Sequence, residues 1–78
     1  MAEVLLPDLG EGIDIVKLSF WHFDVGEEVE EGDDLAEVTT DKATFNIQST
    51  ATGVLEEQCF QEGDDIQVGD VMAIVIEQ

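Results

Sequence analysis

The chain has almost no cationic side chains: 2 lysines and no arginine stand against 20 aspartates and glutamates among 78 residues, for a formal net charge of −18. Proteins that bind nucleic acid neutralise phosphates with several Lys or Arg side chains, and anionic membranes attract proteins through the same groups. Two lysines cannot form such a surface. The composition therefore excludes direct binding to nucleic acid or to an anionic membrane.

Cysteine and long apolar runs are also scarce. The single cysteine, Cys59, cannot form a disulfide within the chain, which predicts a reducing compartment: the cytoplasm, or the mitochondrial matrix in a eukaryote. The longest apolar run, Val71–Ile76, is far too short to cross a bilayer, and the chain does not open like a signal peptide. A chain of this length buries only about 60% of its unfolded surface. We therefore expect one domain over residues 1–78, without a cleft between lobes.

The sequence does contain a regular alternation of apolar and polar residues, which predicts short strands of an all-β fold. The run Val71–Ile76 predicts a strand buried on both faces, and all seven glycines, Gly53 included, are interpreted as turn residues. The aromatic residues, Phe20 among them, are interpreted as core or half-core side chains. The alternating segments are Val16–Phe20, Leu35–Thr39, Thr44–Gln48 and Val54–Gln58.

The chain repeats itself at an offset of 37 residues, so that Leu18 matches Leu55. The repeat predicts two halves related by an approximate two-fold axis. It also matches Asp41 with Val4 and with Gln78, which predicts that the termini and the Asp41–Lys42 junction lie at opposite ends. The other matched pairs are Phe23 with Phe60, Gly26 with Gly63, Val29 with Ile66, Gly32 with Gly69, Asp33 with Asp70, Leu35 with Met72, Ala36 with Ala73 and Val38 with Val75.

One of the two lysines falls in a turn between predicted strands. The segment Thr40–Ala43 contains neither glycine nor proline, but aspartate is favoured in type I turns. The pattern therefore predicts a hairpin that exposes Lys42 at its apex. A lysine placed opposite both termini in so acidic a chain favours a functional role over an ordinary surface position.

The order of these features resembles the lipoyl domain family. Leu6–Ile13 looks like the opening of lipoyl domains, and Glu37–Ala43 is similar to the lipoyl attachment motif. Trp21 and the turns around Gly26, Gly32 and Gly63 follow at the family's spacing, so the resemblance covers essentially the whole chain. It implies a flattened barrel of two four-stranded antiparallel sheets with internal quasi-two-fold symmetry.

The resemblance also implies a site. Lipoate would be amide-linked to Lys42, with Asp41 and Ala43 as flanking residues that the lipoate-attaching enzyme recognises. Partner enzymes would contact a loop formed by Gly10, Glu11, Gly12 and Ile13. The chain would have no catalytic residue and would be a monomeric carrier of the kind found in dihydrolipoamide acyltransferases. Its partners would be a 2-oxo acid decarboxylase, an acyltransferase core and dihydrolipoamide dehydrogenase, between which it would carry acyl groups and electrons.

Two other functions compete with this interpretation. Biotin carboxyl carrier domains share the fold but set their lysine between methionines, and Thr40–Ala43 has neither, which favours lipoate over biotin. An unmodified acidic β-domain could instead serve as an interaction module. The sequence departs from the family's pattern at Thr39, Asn46, Gln48 and Thr50, which bears on partner specificity.

A metal site is not expected. His22 and Cys59 match each other in the repeat, but two ligands are too few for a metal centre. Neighbouring acidic residues such as Asp33 and Asp34 lack the spacing of a calcium-binding loop, so they are interpreted as solvated turn residues.

Overall fold

A computed structural model describes residues 1–78 as eight β-strands joined by turns and loops. No helix in it is long and apolar enough to pass through a bilayer. The four alternating segments all form strands, and four further strands were not singled out by their alternation. The strands are β1 (Ala2–Leu5), β2 (Ile15–Trp21), β3 (Glu28–Val29), β4 (Asp34–Thr39), β5 (Thr44–Gln48), β6 (Gly53–Gln58), β7 (Asp65–Gln67) and β8 (Val71–Glu77).

The strands form two four-stranded antiparallel sheets, which confirms the predicted fold class. One has the order β5-β4-β2-β7 and is called the lysine sheet here, because Lys17 lies in β2 and Lys42 lies between β4 and β5. The other has the order β1-β8-β6-β3 and is called the terminal sheet, because its first two strands are the first and last of the chain.

Between the sheets lies a core of 15 buried apolar residues that includes side chains from all eight strands. Removal of this apolar surface from water is the main favourable contribution to folding. Trp21, Phe23, Phe45 and Phe60 pack partly buried against its rim, as expected for half-core residues. The core is Val4, Leu6, Val16, Leu18, Val29, Leu35, Ala36, Val38, Ile47, Ala51, Leu55, Ile66, Met72, Ala73 and Val75.

Backbone hydrogen bonds confirm the predicted two-fold relation between the halves. The His22 N–H donates to the Leu35 carbonyl at 2.7 Å, and 37 residues later the Cys59 N–H donates to the Met72 carbonyl at 2.8 Å. The bonds that cross between the halves exchange partners in the same way. Gly26 N–H donates to the Leu55 carbonyl and Gly63 N–H donates to the Leu18 carbonyl, both at 2.8 Å.

Side chains at the ends of β2 and β6 obey the same relation. The Trp21 Nε1–H donates to the Phe60 carbonyl at 3.1 Å, and the amide of Gln58 donates to the Phe23 carbonyl at 2.8 Å. An indole and a carboxamide thus make equivalent bonds at matched positions. Each half therefore completes the hydrogen bonding of the other.

The match of Asp41 with Val4 is wrong. Val4 is buried in β1 and pairs with Ala73, whereas the residue that pairs with Ala36, the match of Ala73, is Ile47. Val4 therefore corresponds to Ile47, at an offset of 43 residues. The offset changes because Leu5 and Val16 are 11 residues apart, while their counterparts Gln48 and Gly53 are only 5 apart. The first half thus contains an insertion of six residues between its first two strands.

The termini and the Lys42 turn lie at opposite ends, as predicted. The Gln78 N–H donates to the Thr52 carbonyl at 3.3 Å, and Gln78 shares a surface depression with Asp33. Asp33 immediately precedes β4, whereas the turn that carries Lys42 immediately follows β4. The length of this strand separates the two ends.

The prediction that Val71–Ile76 is buried on both faces is wrong. Met72, Ala73 and Val75 are buried, but Val71 and Ile74 are only half-buried and Ile76 is 38% exposed. β8, one of the two inner strands of the terminal sheet, has one face in the core and the other toward solvent. An apolar outer face therefore explains the unbroken run.

Two single-residue interpretations are also wrong. Gly53 is the first residue of β6 rather than a turn residue, and a Cβ there would lie 1.9 Å from the Ile76 carbonyl oxygen. Close approach of two strands therefore requires this glycine. Phe20 is 40% exposed on the outer face of the lysine sheet, because a bulge between Leu18 and Phe20 in β2 shifts the alternation by one residue.

Candidate functional site

The turn that carries Lys42 is held by the hydroxyl group of Thr40. Its Oγ1 accepts hydrogen bonds from the N–H groups of Lys42 at 3.1 Å and Ala43 at 3.0 Å, and it donates to the Ala43 carbonyl at 3.0 Å. One donor and two acceptors are the full capacity of a hydroxyl group. The Thr40 N–H also donates to the Ala43 carbonyl at 2.8 Å. The four residues therefore form a closed turn.

The turn forms without glycine, as predicted, because neither Asp41 nor Lys42 has a positive φ. The side chain that closes it is Thr40, however, and the Asp41 carboxylate makes no hydrogen bond. Sequence reasoning missed this role of Thr40. Its signal is a threonine at the first position of a four-residue turn, because Ser and Thr hydroxyls bond the backbone two or three residues further on.

The base of the hairpin is tied to the neighbouring strand. Thr39, the last residue of β4, pairs with Thr44 on one side and with Lys17 on the other. Its hydroxyl group also hydrogen-bonds the hydroxyl of Ser19 in β2. Lys42 therefore stands on a turn whose base belongs to the sheet.

The two lysines have different surroundings. The Lys17 ammonium lies 3.5 Å from a carboxylate oxygen of Asp65 and 3.4 Å from the Gly63 carbonyl oxygen. Lys42 is exposed, and its side chain makes no hydrogen bond or ion pair. Of the two, only Lys42 has an amine that no other group of the chain engages.

Asp41 and Ala43 are exposed on either side of Lys42. Asp41 and Thr40 line a shallow depression together with Ile15 and Lys17 from β2. Ile15 is 53% exposed there. A protein that approaches Lys42 from this side would therefore meet an apolar side chain next to a carboxylate.

The predicted partner loop is exposed at Gly10, Glu11 and Gly12. The Gly10 N–H donates to the Asp8 carboxylate at 3.0 Å, and Gly12 has a φ of 81°, which favours glycine. Ile13 differs from the expectation of a surface residue, because it is half-buried and packs against the core.

This loop lies in the segment between Leu5 and Val16, which is six residues longer than its counterpart in the second half. It leads directly into Ile15, which shares the depression with Asp41, so its end approaches the Lys42 turn. No hydrogen bond joins the loop to the turn.

Several acidic side chains have a structural role beyond solvation. The carboxylates of Asp33 and Asp70 accept hydrogen bonds from the N–H groups of Glu30 and Gln67, both at 2.9 Å. Glu27 and Asp64 make the same bond, three residues back, in the preceding turns. These carboxylates satisfy backbone donors that the turns leave without a strand partner. No group of three or more His, Cys, Asp or Glu residues is arranged to hold a metal ion.

His22 and Cys59 occupy matched positions in different surroundings. The His22 ring stands edge-on to Phe20, with the ring centroids 4.9 Å apart, and its Nε2 lies 3.0 Å from the Asn46 side-chain oxygen. Cys59 is exposed, yet partial burial of its sulfur raises the pKa of the thiol, and the nearby carboxylates of Glu57 and Glu3 raise it further. A raised pKa disfavours the thiolate, which is the nucleophilic form of cysteine.

A two-sheet barrel that offers one free lysine on a closed hairpin defines a class of protein: small domains that present a lysine for covalent modification. The sequence model of the biotin/lipoyl attachment family, described as "Biotin-requiring enzyme", matches residues 2–75. The chain belongs to this family. The resemblance found in the sequence is thereby confirmed.

Relatives with curated names include two bacterial acyltransferase subunits. The chain is 38% identical over 75 residues to the dihydrolipoyllysine-residue succinyltransferase component of the 2-oxoglutarate dehydrogenase complex of Staphylococcus saprophyticus. It is 43% identical over 70 residues to the acetyltransferase component of the pyruvate dehydrogenase complex of Staphylococcus aureus. The matches cover 96% and 90% of the chain but only 18% and 16% of these relatives. The chain thus spans less than a fifth of their length.

Solved structures show the same architecture. The lipoyl domain of the 2-oxoglutarate dehydrogenase complex from Azotobacter vinelandii superposes with a TM-score of 0.77 at 26% identity, and the match covers 99% of this chain and 98% of that one. A segment making up 6% of urea carboxylase from Kluyveromyces lactis matches 95% of this chain with a TM-score of 0.79 at 22% identity. At that identity the second match concerns the fold alone.

Proposed function

We propose that this chain is a lipoyl carrier, with lipoate joined through an amide bond to Nζ of Lys42, and that it carries acyl groups and electrons between the active sites of a 2-oxo acid dehydrogenase complex. The observation that carries the proposal is the contrast between the two lysines. Lys17 is engaged by Asp65, whereas Lys42 is exposed, unpaired and fixed in position by the Thr40 turn.

The residues around Lys42 fit an amide-linked group. The amine projects from the apex of a hairpin and has no polar partner to lose, so neutralising it breaks no hydrogen bond or ion pair of the chain. The formal charge would change from −18 to −19. The small Ala43 and the acidic Asp41 leave the lysine open for an attaching enzyme to recognise.

When bound, lipoate supplies a dithiolane that accepts an acyl group and two electrons. The protein's part is to present this group, since cofactors of this kind perform their own chemistry. Presentation requires a fixed base, and the bonds of Thr40 together with the Thr39–Ser19 hydrogen bond provide one. A carrier with this role needs no catalytic residue of its own.

Lipoate fits this chain better than biotin for two reasons. Lys42 lies between Asp41 and Ala43 rather than between methionines. The two acyltransferase relatives are named for a dihydrolipoyllysine residue. One belongs to a 2-oxoglutarate dehydrogenase complex and the other to a pyruvate dehydrogenase complex. Their names therefore support a 2-oxo acid dehydrogenase complex in general, without identifying its oxo acid.

The loop of Gly10, Glu11, Gly12 and Ile13 is the proposed contact for partner enzymes. Six residues inserted in only one of two matched halves are not required by the barrel, and this insertion approaches the end that carries Lys42. Partners that complement a chain of charge −18 would present basic surfaces, as expected of the decarboxylase, acyltransferase core and dehydrogenase in this proposal.

Modification in vitro tests the proposal. The chain is incubated with a lipoate-attaching enzyme, lipoate and ATP, and intact mass and peptide mapping identify the product. We expect one lipoyl group, on Lys42. Lys42→Arg should accept none, and Lys17→Arg, the matched control, should be modified like the unaltered chain.

Three outcomes would contradict the proposal: no modification under conditions that modify another lipoyl domain, modification of Lys17, or attachment of biotin by a biotin-attaching enzyme instead. If the lipoylated chain is then acylated by a 2-oxo acid decarboxylase, the carrier role is supported. If the chain were instead an unmodified interaction module, Lys42→Arg would bind the partner proteins as well as the unaltered chain does.

A further inference from the structure

The outer face of the terminal sheet carries a continuous apolar surface. Along β8, the side chains of Val71, Ile74 and Ile76 follow one another on the side away from the core. Leu5 pairs with Val71 on one edge and Val54 pairs with Ile76 on the other. Leu5 is 46% exposed and Ile76 is 38% exposed. We call these five residues the terminal face.

The barrel itself does not require this face to be apolar. In the lysine sheet, each matched position carries a polar or charged residue in the same strand geometry. Such a difference between matched positions indicates a role beyond folding. The matches are Gln48 for Leu5, Asp34 for Val71, Glu37 for Ile74, Thr39 for Ile76 and Lys17 for Val54.

The carboxylates beside the middle of the terminal face have no cationic partner in the chain. Glu3 and Glu57 are the direct cross-strand neighbours of Ile74, and Glu28 is that of Val54. Lys17 lies in the opposite sheet and Lys42 in the turn after β4, while the N-terminal ammonium pairs with Glu77 at 3.8 Å. An apolar column thus lies between two carboxylates without a compensating cation.

We propose that the terminal face is a docking surface for a cationic amphipathic helix of a partner protein. A helix with an apolar stripe can lie along β8, because helices cover the apolar faces of sheets. Lys or Arg side chains beside that stripe would reach the carboxylates of Glu3 and Glu57. A second copy of this chain, with its charge of −18, would be repelled. The proposal does not depend on lipoate, so it stands or falls separately from the carrier function.

The test uses a synthetic helical peptide of leucines and lysines, about four turns long, and a scrambled peptide of the same composition. Titration of the 78-residue chain is followed by methyl and amide NMR, which gives both the affinity and the location of the bound peptide. We expect shift changes concentrated at Ile74, Ile76 and Leu5, and weaker binding of the scrambled peptide by about tenfold, or 1.4 kcal/mol.

The matched halves supply the variants. Val54→Lys/Ile74→Glu/Ile76→Thr introduces the residues that the lysine sheet already carries at these positions, and it leaves the net charge unchanged. It should weaken peptide binding by about tenfold or more. Phe20→Thr, which removes an apolar group of similar exposure from the other sheet, should leave binding within about twofold. Lys42→Arg should bind like the unaltered chain.

Shift changes on the lysine sheet or the Gly10–Ile13 loop would overturn the proposal, and so would equal binding of both peptides, which indicates general charge attraction. Shifts at Ile74 and Ile76 that depend on protein concentration without peptide would indicate self-association and overturn it as well. If the triple variant does not fold, as judged by circular dichroism, the shift map of the unaltered chain and the scrambled peptide still decide the question.

Discussion

The two halves of the barrel share their interiors and turns and differ in what they present to solvent. Leu18 and Leu55 are both fully buried, and the Gly26 and Gly63 turns make equivalent bonds across the axis. The turn after β4 carries Lys42, however, the segment before β2 is longer than its counterpart, and only the terminal sheet has an apolar column on its outer face. The shared features indicate what the fold needs. The features present only once, the Lys42 turn, the inserted loop and the terminal face, are the candidates for function.

Substitution of Gly53, which differs in size from its matched residue, should have the largest effect on stability. Its counterpart, Val16, has a buried side chain, whereas a Cβ at position 53 would lie 1.9 Å from the Ile76 carbonyl oxygen. Gly53→Ala should therefore lower the free energy of unfolding by about 3 kcal/mol or more, because backbone atoms must move. Val16→Ala should cost about 2 kcal/mol through lost burial. Urea unfolding measures both, and a smaller loss for Gly53→Ala than for Val16→Ala would show that the strands can separate freely there.

Asp33 and Asp70 test whether matched turns contribute equally. Each carboxylate accepts one backbone N–H at 2.9 Å, so Asp33→Ala and Asp70→Ala should each lower the free energy of unfolding by about 1 kcal/mol. Each substitution also removes one negative charge, which makes general charge effects cancel in the comparison. The two losses in free energy of unfolding, measured side by side by urea unfolding, should agree. If they differ by more than about 1 kcal/mol, equivalent hydrogen bonds in the two halves do not contribute equally to stability.

Cys59 gives the smallest expected effect. Burial and then Glu57 and Glu3 raise the pKa of its thiol, so its thiolate fraction at pH 8 should be below that of the unfolded chain. Modification by a neutral thiol reagent should accordingly be faster in urea. Glu57→Gln should speed modification of the folded chain by less than about tenfold, because exposed charges interact by at most about 1 kcal/mol. Glu62→Gln, an exposed carboxylate that does not perturb this thiol, serves as the control.

The raised pKa of the Cys59 thiol also determines how the stability of the chain changes with pH. A thiol whose pKa is raised on folding holds its proton more tightly in the folded state, so its contribution is complete below the unfolded pKa. That contribution is lost as the pH rises through the folded pKa. Replacing Cys59 by serine should therefore flatten the fall in stability on the alkaline side of the unfolded thiol's pKa. An unchanged slope would contradict the shift.

Much of the fold could be predicted because the turn residues of the two halves match each other in the sequence. Glycines, an aspartate and apolar residues matched at an offset of 37 predicted both the symmetry and the opposite placement of Gln78 and Lys42. Val4 was matched with the wrong residue because a single offset cannot represent an insertion. Six extra residues lie between β1, which contains Val4, and β2, where the offset of 37 begins to hold.

Other features depend on tertiary contacts that the sequence pattern does not contain. Gly53 looks like a turn glycine until the path of Ile76 is known, and Phe20 looks buried until the bulge in β2 is seen. The apolar run of β8 predicts burial, yet its outer face is uncovered by the chain itself. At the site, the exposed position of Lys42 could be predicted from the repeat and the resemblance. The role of Thr40 was missed although its hydrogen bonds are local, because a threonine at the start of the turn was not considered as the residue that closes it.

The bonds of Thr40 also separate the shape of the turn from the chemical state of the lysine. Every interaction that closes the turn uses backbone atoms or the Thr40 hydroxyl, and none uses Nζ of Lys42. The amine can therefore be acylated, extended or left bare without disturbing the backbone beneath it. An enzyme that attached a group to this lysine and an enzyme that later acted on that group would meet the same backbone conformation. One surface could therefore be recognised both before and after modification.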